Sequence, residues 1–242
     1  MSSNVRGRLV RKGMQSRISL DSEEGAAMAE QRSGTSVDSK TVEDIVRFHG
    51  HMCPGLAMGI RAAEVALSEV GPHSSDEEIV TLTETDMCGV DAIQYLTGCT
   101  FGKGNLIHLD YGKNAYTFIR RSDGKAVRVS TRPGAFDRSP EHNELSTKMR
   151  NDSATEEERA RYKELRANRT ETILQASVDE LYAVEELESA EIPPIARIHD
   201  SASCAACGEL TMETRVNQLE GRRLCPACFE AALSLQGNTE SA

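Results

Sequence analysis

The chain has 242 residues, enough for one sizeable hydrophobic core and a small appended module. Its formal net charge of −10 argues against bulk attraction to nucleic acid or to an anionic membrane, and we expect neither as a partner. No apolar run is long enough to span a bilayer and no secretory pattern is present, so we expect a cytoplasmic protein whose 7 cysteines act as thiols and metal ligands.

Residues 1–38 are polar and rich in Ser, Gly and Arg, and we predict that they form a disordered tail. The main folded domain is expected over residues 39–200. Apolar periodicity predicts its first helix over residues 38–48. A second helix, over residues 54–70, begins at Pro54, because proline suits the first helical position.

Between these two helices, residues 49–55 read His-Gly-His-Met-Cys-Pro-Gly. In an extended segment, residues two apart point to the same side, so His49, His51 and Cys53 can converge on one metal ion or one substrate atom. Cys53 is the expected N-cap of the second helix, where free amides and the helix dipole favour a thiolate. The alternative is two histidines near a helix start and one buried cysteine that only packs.

A strand is predicted at residues 79–82, and Cys88 then precedes a short helix over residues 89–97. Cys88 lies at the start of this short helix, so free amides and the helix dipole are expected to favour a thiolate there, as at Cys53. Asp91 either orients an imidazole or is simply a favourable charge in the first helical turn. For Cys99, which follows this helix, packing is the favoured role.

Three further strands are predicted at residues 106–109, 115–119 and 126–129, with a Ser-Asp-Gly hairpin turn before the last. Lys113, in an Asp-Tyr-Gly-Lys turn, is either a surface lysine or an anion contact. A charged helical extension is predicted over residues 139–176, followed by a strand over residues 181–187. We therefore predict an α+β fold in which helices flank a mainly antiparallel sheet, with a small C-terminal zinc ribbon.

The C-terminal region, residues 201–242, contains two Cys-x-x-Cys pairs separated by 17 residues. Four thiolates at this spacing are typical of structural zinc sites, and the predicted ligands are Cys204, Cys207, Cys225 and Cys228. Two disulfides, a redox-active pair or another soft metal are the alternatives. Residues 212–216 are expected to pair with residues 222–224 across a Glu-Gly turn, and a closing helix is expected over residues 229–235.

The motif at residues 49–55, the segment at residues 88–105 and the Asp-Tyr-Gly-Lys turn at residues 110–113 resemble, in the same order, the FmdE family of formylmethanofuran dehydrogenase subunits. The resemblance runs over residues 49–132 and more loosely through residues 181–186. It implies an α+β domain that forms intertwined dimers, a cavity lined by the first motif, and a link to molybdenum or tungsten C1 metabolism. The C-terminal module resembles the zinc ribbons appended to such proteins and the short C4 fingers of the DksA/TraR group.

Two classes of function follow from these features. The first is a metal-binding FmdE-like accessory or catalytic subunit that acts on a small molecule. The second is a non-catalytic metallochaperone, or an interaction or regulatory protein that uses its zinc ribbon. Besides zinc in the ribbon, a second metal of open identity is a candidate at the His49/His51/Cys53 site, and we expect a homodimer and a larger oxidoreductase complex as partners. The candidates for chemistry in the core domain are His49, His51, Cys53, Cys88, Asp91 and Lys113.

Overall fold

The computed structural model describes residues 34–188 and 190–237. The chain divides into two compact units between Ile195 and Ala196. Most of the tail predicted over residues 1–38 lies outside the described residues.

The larger unit is a helix-flanked sheet. Its elements are α1 (Ser39–His49), α2 (Pro54–Glu69), β1 (Ile79–Thr83), α3 (Gly89–Thr97), β2 (Leu106–His108), β3 (Ala115–Arg120), β4 (Ala126–Thr131), α4 (Pro140–Arg150), α5 (Glu156–Gln175), α6 (Val178–Leu181) and β5 (Tyr182–Leu187). The five strands follow the order β2-β1-β3-β4-β5, in which β1 and β2 are parallel and all other neighbours are antiparallel. The predicted α+β fold with a mainly antiparallel sheet is therefore confirmed.

Helix α2 is the centre of the hydrophobic core. Its residues from Leu56 to Ala63 are all buried, and it packs against α3 and α5. Small residues are frequent in this helix, so neighbouring backbones can come close. Phe118 of β3 and Val127 of β4 belong to the same core and lie side by side across the antiparallel pair.

The first described residues are tied to the helices. Arg61 of α2 is 1% exposed and donates hydrogen bonds to the carbonyl oxygens of Gly34 and Ala176. Glu64, which pairs with Arg61 at 2.7 Å, accepts a 2.9 Å hydrogen bond from the hydroxyl of Thr35. The folded unit thus includes residues 34–38, which the sequence pattern predicts as part of the tail.

The charged extension predicted over residues 139–176 is a pair of helices rather than one continuous helix. Asn151 caps α4, Asp152 has a left-handed backbone (φ 51°), and Thr155 forms a capping box with Glu158 that starts α5. The polar residues between the helices satisfy the free backbone groups locally, and this ends the first helix. In the described ranges no helix is both long and apolar enough to cross a bilayer.

The smaller unit is a ribbon with a closing helix. Its elements are β6 (Ser201–Ser203), β7 (Leu210–Met212), a single 3-10 turn (Glu213–Arg215), β8 (Asn217–Leu219), β9 (Arg222–Leu224) and α7 (Pro226–Gly237). The predicted pairing of residues 212–216 with residues 222–224 is wrong. Glu220 and Gly221 both have positive φ (51° and 75°) and form a two-residue turn, so β9 must pair with the residues directly before that turn.

Candidate metal centres

Two glycine contacts bring the starts of α2 and α3 together. A Cβ atom added to Gly59 would lie 2.2 Å from the carbonyl oxygen of Gly89, so only glycine allows this helix crossing. One turn earlier, a Cβ on Gly55 would lie 3.2 Å from the Cβ of Cys88. Because Cys53 is the N-cap of α2 and Cys88 the N-cap of α3, the crossing places both thiols at one site.

The third member of this site is His49, the last residue of α1. A ring nitrogen of His49 and the sulfur atoms of Cys53 and Cys88 all lie within 4.8 Å of one another. The Nε2 atom of His49 is 4.0 Å from the Sγ of Cys53. Ligands of a tetrahedral zinc ion, at about 2.0–2.3 Å from the metal, lie roughly 3.5–3.8 Å apart, so a small inward movement would seat an ion. We name these three residues the core cluster.

Asp91 fixes the orientation of His49. Its Oδ2 atom lies 2.6 Å from the Nδ1 atom of His49, and the two side chains are 37% and 10% exposed. A carboxylate accepts hydrogen bonds, so this contact places the imidazole proton on Nδ1 and leaves the lone pair of Nε2 facing the thiols. Asp91 lies in the first turn of α3, where both roles considered from the sequence, charge at a helix start and orientation of an imidazole, are compatible.

The two cysteines of the core cluster have different surroundings. Cys53 is 4% exposed, and its sulfur accepts the backbone N–H of Leu56 at 3.4 Å, as the predicted N-cap position requires. Cys88 accepts no such bond. Burial, together with the neighbouring Cys53 thiol, raises the pKa of Cys88, so the expected thiolate stabilisation by the helix start does not hold there. A bound cation would reverse that effect.

The expected ligand set of His49, His51 and Cys53 is corrected by the structure, because α1 continues through His49 and the segment there is not extended. Gly50 then turns the chain with φ 99°. The ring of His51 packs on that of His49 with centroids 4.8 Å apart, but His51 is exposed and lies outside the three-ligand set, in which Cys88 takes the third place.

Lys113 and Cys99 are not part of the core cluster. The side chain of Lys113 is exposed, and its backbone N–H bonds the carbonyl oxygen of Glu84 at 3.0 Å. Cys99 is fully buried, and its thiol donates to the carbonyl oxygen of Ile79 at 3.4 Å. Packing is therefore the role that the structure gives to Cys99.

An aromatic pair beside the site was not singled out from the sequence. The ring centroids of Phe48 and Tyr95 are 6.2 Å apart, and with Asp44 and Arg47 these residues line a shallow depression of about 410 Å³. Phe48 precedes His49, and Tyr95 lies one helical turn after Asp91. Phe48 is 57% exposed although it lies at the end of an amphipathic helix, a feature that only the structure reveals.

Tyr116 is a second neighbour that sequence reasoning missed. It is 1% exposed, and its hydroxyl donates to Asn114 at 2.9 Å. A Cβ on Gly89 would lie 2.8 Å from this hydroxyl, which therefore sits directly behind the start of α3. Burial raises the pKa of Tyr116, so it stays protonated. In the sequence it is only one more apolar residue of a buried strand.

The second cluster consists of the four cysteines of the ribbon, whose sulfur atoms all lie within 4.8 Å of one another. Backbone N–H groups, first that of Cys207 and then that of Cys225, lower the pKa of Cys204 to about 6. Crowding by the other three thiols, first Cys225, raises the pKa of Cys228 to about 12. Four thiols cannot all ionise at this spacing without a cation, so the arrangement fits the predicted zinc.

Comparisons with known proteins agree with this division. Residues 48–183 match the family described as "FmdE, Molybdenum formylmethanofuran dehydrogenase operon", and residues 199–232 match the prokaryotic dksA/traR C4-type zinc finger. A relative from Archaeoglobus fulgidus, named "Probable S-adenosyl-L-methionine-binding protein", is 36% identical over 200 residues, which cover 78% of this chain and 52% of that protein. The chain thus spans about half the length of this curated relative.

A solved structure shares the fold of this chain. It is an FmdE-like protein from Syntrophus aciditrophicus, described as related to tungsten formylmethanofuran dehydrogenase, with a TM-score of 0.51 and 22% identity. The match covers 79% of this chain and 91% of that chain. At this identity the likeness concerns the fold alone.

Proposed function

The chain belongs to the FmdE family, and from that premise we propose that its core domain is a metal-dependent subunit that binds a borderline-soft divalent ion through His49, Cys53 and Cys88. The observation that carries this proposal is the convergence of the three ligand atoms within 4.8 Å, with Asp91 holding the proton of His49 on the far ring nitrogen. The family further supports an accessory or catalytic role linked to molybdenum or tungsten C1 metabolism.

A four-coordinate ion held by these three residues would keep one position for water or substrate. It would supply Lewis acidity there, which would polarise a carbonyl group or lower the pKa of the water. Residues of this chain would orient the ligands and move protons. Asp91 orients His49, and the exposed imidazole of His51, packed on His49, is placed to pass protons between the site and solvent.

The depression beside the core cluster supports a small-molecule substrate. Phe48 and Tyr95 offer apolar ring surface, and Asp44 and Arg47, which also line the depression, pair with each other at 2.7 Å. The name of the Archaeoglobus relative makes S-adenosyl-L-methionine, which carries both a ring system and charged groups, the first ligand to test. A calorimetric titration should show binding that weakens in Tyr95→Ala and is unchanged in Tyr111→Ala, an exposed tyrosine outside the depression.

Cobalt binding by the full-length protein tests the metal centre. We expect two metal equivalents per chain, one in each cluster. Cys204→Ser should remove the four-thiolate spectrum and Cys53→Ser the remaining bands, whereas Cys99→Ser, which changes a cysteine outside both clusters, should remove neither. One equivalent per chain, lost in Cys204→Ser and kept in Cys53→Ser, would overturn the proposal.

Exogenous ligands then separate the two classes of function. If the core ion has an open position, azide or imidazole should shift its d–d bands and leave those of the ribbon ion unchanged. An ion that gives no such shift and passes rapidly to a chelator would instead favour the alternative, a metallochaperone. The partly exposed Cys88 is the feature of the core cluster that favours this second function.

The partners are also proposals. We propose a homodimer, on the strength of the family membership, and a protein contact of the ribbon with a larger oxidoreductase. Sedimentation velocity should show a dimer at micromolar concentration. A stable monomer under those conditions would remove the first of these proposals.

A further inference from the structure

We propose that Cys53 and Cys88 are a modification site as well as a ligand pair: in the absence of a bound ion, a two-electron oxidant joins them in an intramolecular disulfide. The inference concerns the site of the proposed function but depends only on the thiol pair. It can therefore hold or fail independently of metal binding.

The helix crossing supplies the geometry. A Cβ placed on Gly55 would lie 3.8 Å from the Sγ of Cys88 and 3.9 Å from the Sγ of Cys53, so both sulfur atoms border the same small space. The two sulfur atoms lie within 4.8 Å of each other. A disulfide needs about 2.05 Å between sulfur atoms, with Cβ atoms about 3.8 Å apart, so side-chain rotation with a small backbone adjustment would close the bond.

The two thiols differ in their access to solvent. Cys88 is partly exposed and can meet a small oxidant, whereas Cys53 lies buried behind it. The backbone N–H of Leu56 donates to the Sγ of Cys53 at 3.4 Å, and the Nε2 atom of His49 lies 4.0 Å from the same sulfur. An accessible thiol beside a resolving thiol is the arrangement found in redox-sensing cysteine pairs.

Hydrogen peroxide can serve as the oxidant, since it accepts two electrons from the two thiols. The sulfur of Cys88 attacks one peroxide oxygen and forms a sulfenic acid while the O–O bond breaks, and the other oxygen takes the proton given up by the Cys88 thiol and leaves as water. The sulfur of Cys53 then attacks the sulfur of Cys88, the S–O bond breaks, and a second water leaves. Two thiols have lost two electrons and two protons, and one peroxide has become two waters.

Closure would remove two of the three protein ligands of the core cluster. An ion bound to both sulfur atoms would in turn shield them from oxidation. The oxidised protein should therefore bind no core metal until a dithiol reductant opens the bond.

Peptide mapping of the full-length protein tests the inference. Trypsin leaves Cys53 in residues 48–61 and Cys88 together with Cys99 in residues 62–103, so the Cys99→Ser variant makes the assignment unambiguous. After chelation, hydrogen peroxide and alkylation of the remaining thiols, we expect these two peptides to be linked and lighter than the reduced pair by two hydrogen atoms. Loading the core site with zinc beforehand should suppress the link, and dithiothreitol should reverse it.

Two further variants guard against trivial outcomes. Cys88→Ser should leave Cys53 open to alkylation after the same treatment, and Gly55→Ala should lower the yield of the link because its Cβ would crowd the Cβ of Cys88. A circular dichroism spectrum recorded before oxidation would test whether each variant is folded. The inference is overturned if folded, metal-free protein keeps both thiols alkylatable, or if Cys53 pairs instead with a ribbon cysteine. If the disulfide forms in a protein that never binds a metal ion at the core cluster, the proposed function is contradicted but this inference is supported.

Discussion

The two thiol clusters are built in opposite ways. The ribbon draws four cysteines from 25 consecutive residues, Cys204 to Cys228, and among residues 196–235, whose burial is described, the buried apolar side chains are only Ala202, Cys204 and Leu224. The core cluster takes one residue from each of three helix ends in a densely packed domain. In the ribbon the metal must stabilise the fold, whereas in the core domain the fold must position the ligands.

The largest effect should follow from loss of a ribbon ligand. We expect Cys204→Ser to abolish zinc binding by the ribbon and to unfold residues 196–237, because structural zinc contributes about 10–16 kcal/mol in comparable modules. The core domain should stay folded, since its hydrophobic cluster does not depend on that ion. Limited proteolysis with zinc analysis measures both effects, and a variant that keeps full zinc content with a protease-resistant ribbon would contradict a ribbon fold that depends on the metal.

The glycine crossing should be the next most sensitive feature. Gly59→Ala would place a methyl group 2.2 Å from the carbonyl oxygen of Gly89, so α2 and α3 must separate. We expect the free energy of unfolding of the core domain to fall by about 3 kcal/mol and the core ion to be lost, with the ribbon ion retained. Gly102→Ala, where a Cβ meets nothing within 4 Å, is the matched control. Equal stabilities of the two variants in urea unfolding would contradict the crossing.

The orienting carboxylate should affect affinity rather than stability. We expect Asp91→Asn to weaken metal binding at the core cluster about 10- to 100-fold, because the amide no longer fixes the proton of His49 on Nδ1. The melting temperature of the metal-free protein should change little, since the Asp91 side chain is partly exposed. Asp86→Asn, also near the start of α3 but exposed and outside the cluster, serves as the control in a competitive chelator titration. Unchanged affinity in Asp91→Asn would show that the carboxylate acts only as a helix-start charge.

The smallest effect concerns a region outside both clusters. Burial, and then the nearby Arg138, Arg169 and Arg166, lower the pKa of His142 in α4, where its ring packs edge-on against Tyr162. The unfolded imidazole then binds a proton before the folded one, so stability should fall as pH drops below about 6.5. His142→Gln should flatten this slope in thermal unfolding between pH 7 and pH 5. A slope that persists unchanged in that variant would assign the effect to other groups.

The zinc ligands of the ribbon could be predicted from the sequence, because the spacing of the four cysteines alone is typical of a structural zinc site. The sequence also predicted the N-cap position of Cys53 from Pro54, and the helices and strands that surround it. It did not predict Cys88 in place of His51 as the third ligand. The third ligand is determined by how far α1 extends and by the contact of Gly59 with Gly89. Neither feature can be predicted from a local sequence pattern. Likewise, Phe48 and Tyr95 become neighbours only when α1 and α3 pack.

The hydrogen bonds of Arg61 indicate which positions of this chain can tolerate substitution during evolution. Its guanidinium holds the chain by the carbonyl oxygens of Gly34 and Ala176, and a carbonyl is the same in every residue. Selection should therefore act strongly on Arg61 and on its partner Glu64, and weakly on the side chain at position 176. Position 34 should remain restricted, because its left-handed backbone (φ 77°) favours glycine. In distant relatives, an Arg-x-x-Glu pair at the corresponding positions of this helix would therefore indicate the same hydrogen bonds to two distant chain segments, even where the residues of those segments are not similar.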